Sequence, residues 1–293
     1  MEETKKRRIE VNRLAAVAKL EQRQGLKKRH CEEAVLVPAR KRALGLFYGA
    51  TMTEEAVDWS LGSCLNGGAI SEVHGEAGTG KSILAATVAA YGLRASRRGV
   101  VLFVETKGPH THLKCVSVAS SFLPAHDVKA RVMSTSALDV ERFLAICARD
   151  VPHVNAKTAK VALVVVDSIA DLMRQGNDKQ ERQDNRRRIL KAIKACSKNN
   201  NIPFFLVNQV VSTSFGEGGK RGRVVAANDD LMTEFTTRFL LTRRHDNDTI
   251  LRRIVVTTAP DDENGDSSAC ANFEITNAGV RPLTSSYDGT ETT

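Results

Sequence analysis

Unbroken apolar runs alternate with helical stripes along most of this chain. Val100-Val101-Leu102-Phe103-Val104 and the run from Val161 to Val166 have no polar position on either side of the pleat. That is the pattern of strands buried on both faces. Shorter apolar segments from Ala69 to His74 and from Pro203 to Val207 predict two more strands. Between them lie four stretches with helical spacing. The first, Ser82 to Ala95, carries Ile83, Leu84, Val88 and many alanines, and a second runs from about Pro109 to Phe122. A third starts at Ser136 as N-cap, with Asp139 three residues on, and runs to about Arg149. The fourth, Glu181 to Lys198, is charged but holds Ile189, Leu190 and Ile193. Gly49 to Gly68 reads as turn-rich, and Pro152 to Lys160 as a polar connection. Beyond Val211 the pattern changes: Ser212 to Asp230 is rich in Gly and Arg and predicts a loop. Thr237 to Thr242, Ile250 to Thr258 and Ala271 to Thr276 then read as consecutive strands. Alternation followed by a strand-rich end predicts an α/β fold, a mostly parallel central sheet with an antiparallel C-terminal extension.

Charge separates the amino-terminal part from this pattern. Residues 1–42 hold 13 of the 43 basic and 6 of the 34 acidic residues, so +7 of the net +9 sits there. Scattered Ile9, Val11, Leu14, Val17 and Leu20 predict a loosely amphipathic helix within this arm. The chain therefore divides into a basic helical arm and linker at 1–45, a core at 46–283, and a polar, disordered tail at 284–293. Such an arm suits nucleic acid or another acidic surface, or is a solvated extension. Lys5-Lys6-Arg7-Arg8 also reads as a nuclear import signal, which makes the nucleus the expected compartment. The 6 cysteines lie far apart with no Cys-x-x-Cys pair, as in a reduced intracellular protein without a zinc module. No apolar run approaches the roughly 18 residues of a membrane span, and no apolar core follows the charged N-terminus as in a secretory signal.

The chemistry is concentrated in Gly75-Glu76-Ala77-Gly78-Thr79-Gly80-Lys81-Ser82, which follows a predicted strand and opens a predicted helix. Glycines are needed where backbone N–H groups curl around phosphate oxygens, because a Cβ would clash. In such a P-loop Lys81 reaches the β- and γ-phosphates and Ser82 offers a hydroxyl to Mg2+. The start of the following helix adds the positive end of its dipole. Asp167 closes the Val161–Val166 strand, where a carboxylate holding the magnesium belongs. ATP and Mg2+ are the expected ligands.

From about Gly67 to Pro282 the chain resembles the ATPase core of the RecA/RadA-type recombinases. It is most like the eukaryotic and archaeal strand-exchange enzymes and their accessory paralogues. The matching stretches are Ser71-Glu72-Val73-His74-Gly75-Glu76, Val164-Val165-Val166-Asp167-Ser168-Ile169-Ala170 and Val207-Asn208-Gln209-Val210-Val211. Thr236-Thr237-Arg238-Phe239-Leu240-Leu241 and Phe273-Glu274-Ile275-Thr276-Asn277-Ala278-Gly279-Val280 complete the series. The resemblance implies a RecA-like core and a γ-phosphate-sensing role for Gln209, which ends the strand before a DNA-binding loop. It also puts the two DNA-binding loops near Arg174 to Asp184 and Val211 to Asp230. Arg174, Lys220, Arg221 and Arg223 would then meet phosphates, and Phe215 is the one aromatic available for stacking in the second loop.

Departures from the family pattern carry as much information. Where its recombinases have Asp-Thr-Glu-Gly after the second strand, this chain has Glu105-Thr106-Lys107-Gly108. Lys107 occupies the position of the water-activating Glu, and a lysine ammonium has no lone pair with which to take a proton from water. Glu105 matches the Asp and is the nearest carboxylate that could substitute. Residues 1–45 are too short and too charged for the family's small helical DNA-binding domain. Phe47-Tyr48-Gly49-Ala50 fits its Phe-x-x-Ala assembly segment, although Phe122-Leu123-Pro124-Ala125 fits as well and core packing is the alternative. The resulting expectation is an ATP-dependent accessory paralogue in homologous-recombination repair, with weak hydrolysis. Single-stranded DNA and recombinase or paralogue subunits in a hetero-oligomer are its expected partners. The alternatives are a fully active DNA-stimulated ATPase using Glu105, and a non-hydrolysing interaction subunit.

Overall fold

Alternation of apolar strands with helices builds the first two-thirds of the core. Strands β1 (Ile70–Gly75), β2 (Val100–Glu105), β3 (Val132–Ser136), β4 (Val161–Asp167) and β5 (Phe204–Val207) are interleaved with helices. These are α1 (Met52–Ser63), α2 (Lys81–Ala95), α3 (Thr111–Ala119), α4 (Ala125–Arg131), α5 from Val140–Ala145 onward, α6 (Ile169–Met173) and α7 (Lys179–Asn200). The remaining strands are β6 (Val210–Ser212), β7 (Val224–Ala226), β8 (Thr237–Asp246), β9 (Thr249–Thr258), β10 (Cys270–Thr276) and β11 (Gly279–Pro282). The computed structural model describes residues 52–108, 110–212, 224–226, 235–246, 249–258 and 269–283. The basic arm, Phe47, Phe215, Lys220, Arg221, Arg223 and the tail lie outside the described residues.

Nine strands form one sheet in the order β11-β10-β9-β8-β1-β5-β4-β2-β3. From β8 to β3 every pairing is parallel, and from β8 to β11 every pairing is antiparallel. This is the mixed sheet that the sequence pattern predicts. Successive residues of the inner strands point to opposite faces. Val73, Phe103, Val165 and Phe205 pack with α1, α2 and α3 on one side. Leu102, Val104, Val166 and Phe204 pack with α5, α6 and α7 on the other. The uninterrupted apolar runs are thus required by two buried faces.

Several local readings are corrected. The turn-rich segment before β1 holds α1, because Val57, Leu61 and Cys64 form a fully buried stripe at helical spacing. The helix expected from Pro109 to Phe122 ends at Ala119, and α4 begins after Pro124. Strand β3 was hidden by its polar Ser134, Thr135 and Ser136; as an edge strand it has no need of two apolar faces. Ser136 closes β3, so the cap of α5 is Asp139, whose Oδ1 accepts from the Arg142 N–H at 2.7 Å. Through π-helical turns at Ile146–Asp150 and Val154–Thr158 the helical run continues across Pro152, where a polar connection was expected. The expected first loop is also shorter: α7 starts at Lys179, capped by Asp178. Among the described residues no helix is long and apolar enough to cross a membrane.

A fully buried charge lies inside this frame. Glu72, in the middle of β1, is fully buried. Its Oε1 accepts from Asn208 Nδ2 at 2.6 Å and its Oε2 from Arg238 Nε at 2.7 Å, with His74 Nδ1 at 3.6 Å. Burial alone pushes the carboxyl up, but His74, Arg238 and Asn208 outweigh it and hold it below its ordinary range. Asn208 and Arg238 flank the segment that contains the expected second loop, so Glu72 ties its two roots to the sheet. Glu72→Ala removes the buried carboxylate that Asn208 and Arg238 share and should cost about 3–5 kcal/mol, read from urea denaturation. Because the folded carboxyl is depressed, wild type should hold its full advantage above the ordinary value of 4.5. The advantage should shrink as pH falls below that value. An advantage that grows on acidification would contradict the assignment.

Candidate functional site

The carboxyl ends of the parallel strands and the start of α2 meet at one edge of the sheet. Gly78 and Gly80 have φ of 77° and 106°, in the left-handed region that favours glycine. The backbone is the firm constraint, and the ends of two side chains also close in on the space. A Cβ on Gly78 would lie 2.5 Å from Arg243 Nη1, and one on Gly80 would lie 2.8 Å from Ile275 Cδ1. Thr79 is buried and its hydroxyl donates to Glu76 O at 2.9 Å, bracing the turn. Gly80 caps α2 without a side-chain hydrogen bond, and the first turn holds no acidic residue. The positive end of that dipole therefore opens onto the loop.

Lys81 folds back over the loop, donating to Gly75 O at 2.8 Å and Glu76 O at 2.7 Å. Burial lowers its pKa, the charges of Asp167 and Glu76 oppose the shift, and Lys107 adds to it. Lys81, Asp167 and Lys107 therefore share one electrostatic environment. Beside the loop opens a cavity of about 520 Å³. Its walls are Gly78, Gly80, Lys81 and Ser82, then Lys114, Ser117 and Val118 of α3, then Ile275 to Asn277 at the β10–β11 turn. The turn is fastened to α2 because Val280 N donates to Thr87 Oγ1 at 3.1 Å. Gly279, at φ 100°, makes that close approach possible. A glycine-lined cradle, an inward lysine, an uncapped helix start and an adjoining cavity fit a nucleoside triphosphate. The Ser82 hydroxyl beside the cradle and the Asp167 carboxylate fit a magnesium ion with it. The sequence pointed to the cradle but not to Lys114, Ser117, Arg243 or the β10–β11 turn; Gly279 was the one local signal.

The ends of β2 and β4 carry a network of polar contacts. Glu105 pairs in register with Asp167. It is nearly fully buried, and Oε1 accepts from Thr111 N at 2.8 Å and His112 N at 3.1 Å. His112 Nδ1 lies 3.2 Å from Oε2. Glu105 thus anchors the start of α3, and Thr111 Oγ1 donates to Asp167 Oδ2 at 2.7 Å. Thr106 clamps Ser168, accepting from its N–H at 2.8 Å and donating to its C=O at 3.1 Å. Lys107 Nζ reaches Asp171 Oδ1 at 3.1 Å, and Arg174 Nη2 reaches the same oxygen at 2.9 Å. Arg174 Nη2 also donates to Gln209 Oε1 at 2.9 Å. Arg174 and Gln209, assigned to separate tasks in the sequence, are therefore in contact. Thr111, His112 and Asp171 went unnoticed there.

A family model described as Rad51 matches residues 40–281. Among solved structures, the crystal structure of the RadB recombinase is similar at 22% identity. That similarity covers 78% of this chain and 96% of the other, with a TM-score of 0.58. No curated protein sequence matches. Since Glu105 satisfies two buried backbone N–H groups, Glu105→Ala should lower stability by about 1–2 kcal/mol in urea denaturation. An unchanged midpoint would show that α3 is anchored by other contacts.

Proposed function

Because the chain belongs to the Rad51 family and has its RecA-like fold, we propose that it is an ATP-binding accessory factor of homologous recombination. It is a paralogue of the strand-exchange enzyme and hydrolyses ATP weakly. Proteins of this family generally bind ATP with Mg2+, act on DNA and form oligomers. One observation carries the finer reading. A complete phosphate cradle stands beside a position where water activation needs a carboxylate, and that position holds Lys107, paired with Asp171.

In this reading Lys81 exchanges the carbonyls of Gly75 and Glu76 for β- and γ-phosphate oxygens. The first-turn N–H groups of α2 stabilise the same charge, and Arg243 lies beside Gly78 to add its own. Ser82 and Asp167 hold magnesium. When bound, ATP supplies the terminal phosphate whose charge the site reads and whose presence favours assembly with a neighbouring subunit. Glu105, engaged by Thr111 and His112, orients α3 rather than taking a proton. Gln209, half-buried at the root of the second loop, reports the state of the site. Single-stranded DNA would meet the loop beginning at Arg174 and the loop bearing Lys220, Arg221 and Arg223. Phe47 would anchor a recombinase or paralogue partner, and the basic arm would direct the protein to the nucleus.

Steady-state ATP turnover, with and without single-stranded DNA, tests this reading alongside a strand-exchange assay. Turnover should lie about a hundredfold or more below that of an active family recombinase, as expected without a positioned base. Strand exchange should be absent, and Lys81→Ala should abolish ATP-dependent complex formation. Turnover equal to an active recombinase and lost in Glu105→Ala would favour a true recombinase. Complex formation untouched by Lys81→Ala would favour a pure interaction subunit.

A further inference from the structure

Resting on the reading of the site as one for ATP, we infer that Lys107 is a γ-phosphate ligand. It trades Asp171 for the terminal phosphate, and Arg174 transmits that exchange to Gln209. The backbone at Lys107 is fixed, because its neighbour Thr106 is locked to Ser168. Its side chain is not fixed: it is 60% exposed, and an exposed ion pair to one carboxylate oxygen is easily exchanged. Glu105, two residues before Lys107, pairs in register with Asp167 at the sheet edge that carries Lys81 and the cradle, and an anion lying between two ammonium groups on that edge would relieve their repulsion. A terminal phosphate is such an anion, whereas ADP ends one phosphate short. A residue unsuited to activating water is well suited to counting phosphates.

The far end of the exchange is equally specific. Asp171 Oδ1 holds Lys107 and Arg174 at once, at 3.1 and 2.9 Å, and Arg174 Nη2 divides itself between Asp171 and Gln209. When Lys107 leaves, Arg174 is the remaining cation on that oxygen and is drawn toward it, loosening its hold on Gln209. Gln209 N donates to Asn208 Oδ1, and Asn208 Nδ2 donates to Glu72, which also holds Arg238. Polar contacts thus run without a break from the phosphate side to both roots of the loop segment. Coupling of this kind is reciprocal, so a ligand on the loop that favours the exchanged state must tighten ATP binding.

The test titrates the full chain with Mg·ATP and Mg·ADP. Lys107→Ala should weaken ATP binding about tenfold and ADP binding by less than about twofold, since only one charge-assisted contact to the terminal phosphate is lost. Lys107→Arg should restore most of the difference. Equal losses for both nucleotides, or none, would overturn the assignment. The relay is read by hydrogen exchange at residues 205–212, which should differ between the ATP and ADP states. That difference should vanish in Asp171→Asn and in Arg174→Ala; its persistence in either folded variant would overturn the relay. Absence of ATP binding by the unaltered chain would instead remove the reading of the site itself.

Discussion

The steric emptiness of the turn between β1 and α2 is the constraint on which the rest depends. With φ of 77° at Gly78 and 106° at Gly80, any residue but glycine is strained at either position, and the ends of the Arg243 and Ile275 side chains fill the space a Cβ would take. That emptiness leaves backbone N–H groups, the start of α2 and Lys81 facing one small volume. Unpaired polar groups are costly in the middle of a parallel sheet buried on both faces, so these gather at its carboxyl edge. Asp167, Glu105 and Lys107 arrive there for the same topological reason.

Charge along that edge is held in specific pairs. Glu105 is spent on the first turn of α3, and Lys107 and Arg174 share Asp171. Under the proposed function, such an edge would favour holding a triphosphate over cleaving it. For the proposed accessory role that balance would be useful, because partners would then be retained only while the terminal phosphate persists. The buried Glu72 gives the edge a rigid counterpart, fixing Asn208 and Arg238 so that a change at Gln209 acts on a held segment.

Much of the fold was legible where a single physical rule governed a local stretch. Doubly buried strands β2 and β4 had to be apolar throughout, and the P-loop had to place glycines between a strand and a helix. Legibility failed where the deciding partner lay far along the chain. Glu72 interrupts an apolar strand, and its partners Asn208 and Arg238 stand 136 and 166 residues away. The hold of Glu105 on Thr111 and His112 was not legible, because it depends on where α3 begins. Strand β3 escaped notice because an edge strand can be polar, and α1 because glycines flank its short buried stripe. The cavity wall at Ile275 to Asn277 depends on a hairpin docking onto α2, to which only Gly279 gave a clue.

The central claim is that this cradle captures a triphosphate with its magnesium. Equilibrium titration of the purified chain, alone and within its native complex, with ATP in the presence and absence of Mg2+ tests it most directly. The account predicts saturable binding that depends on magnesium and is lost in Lys81→Ala. No magnesium-dependent affinity in either setting would contradict it.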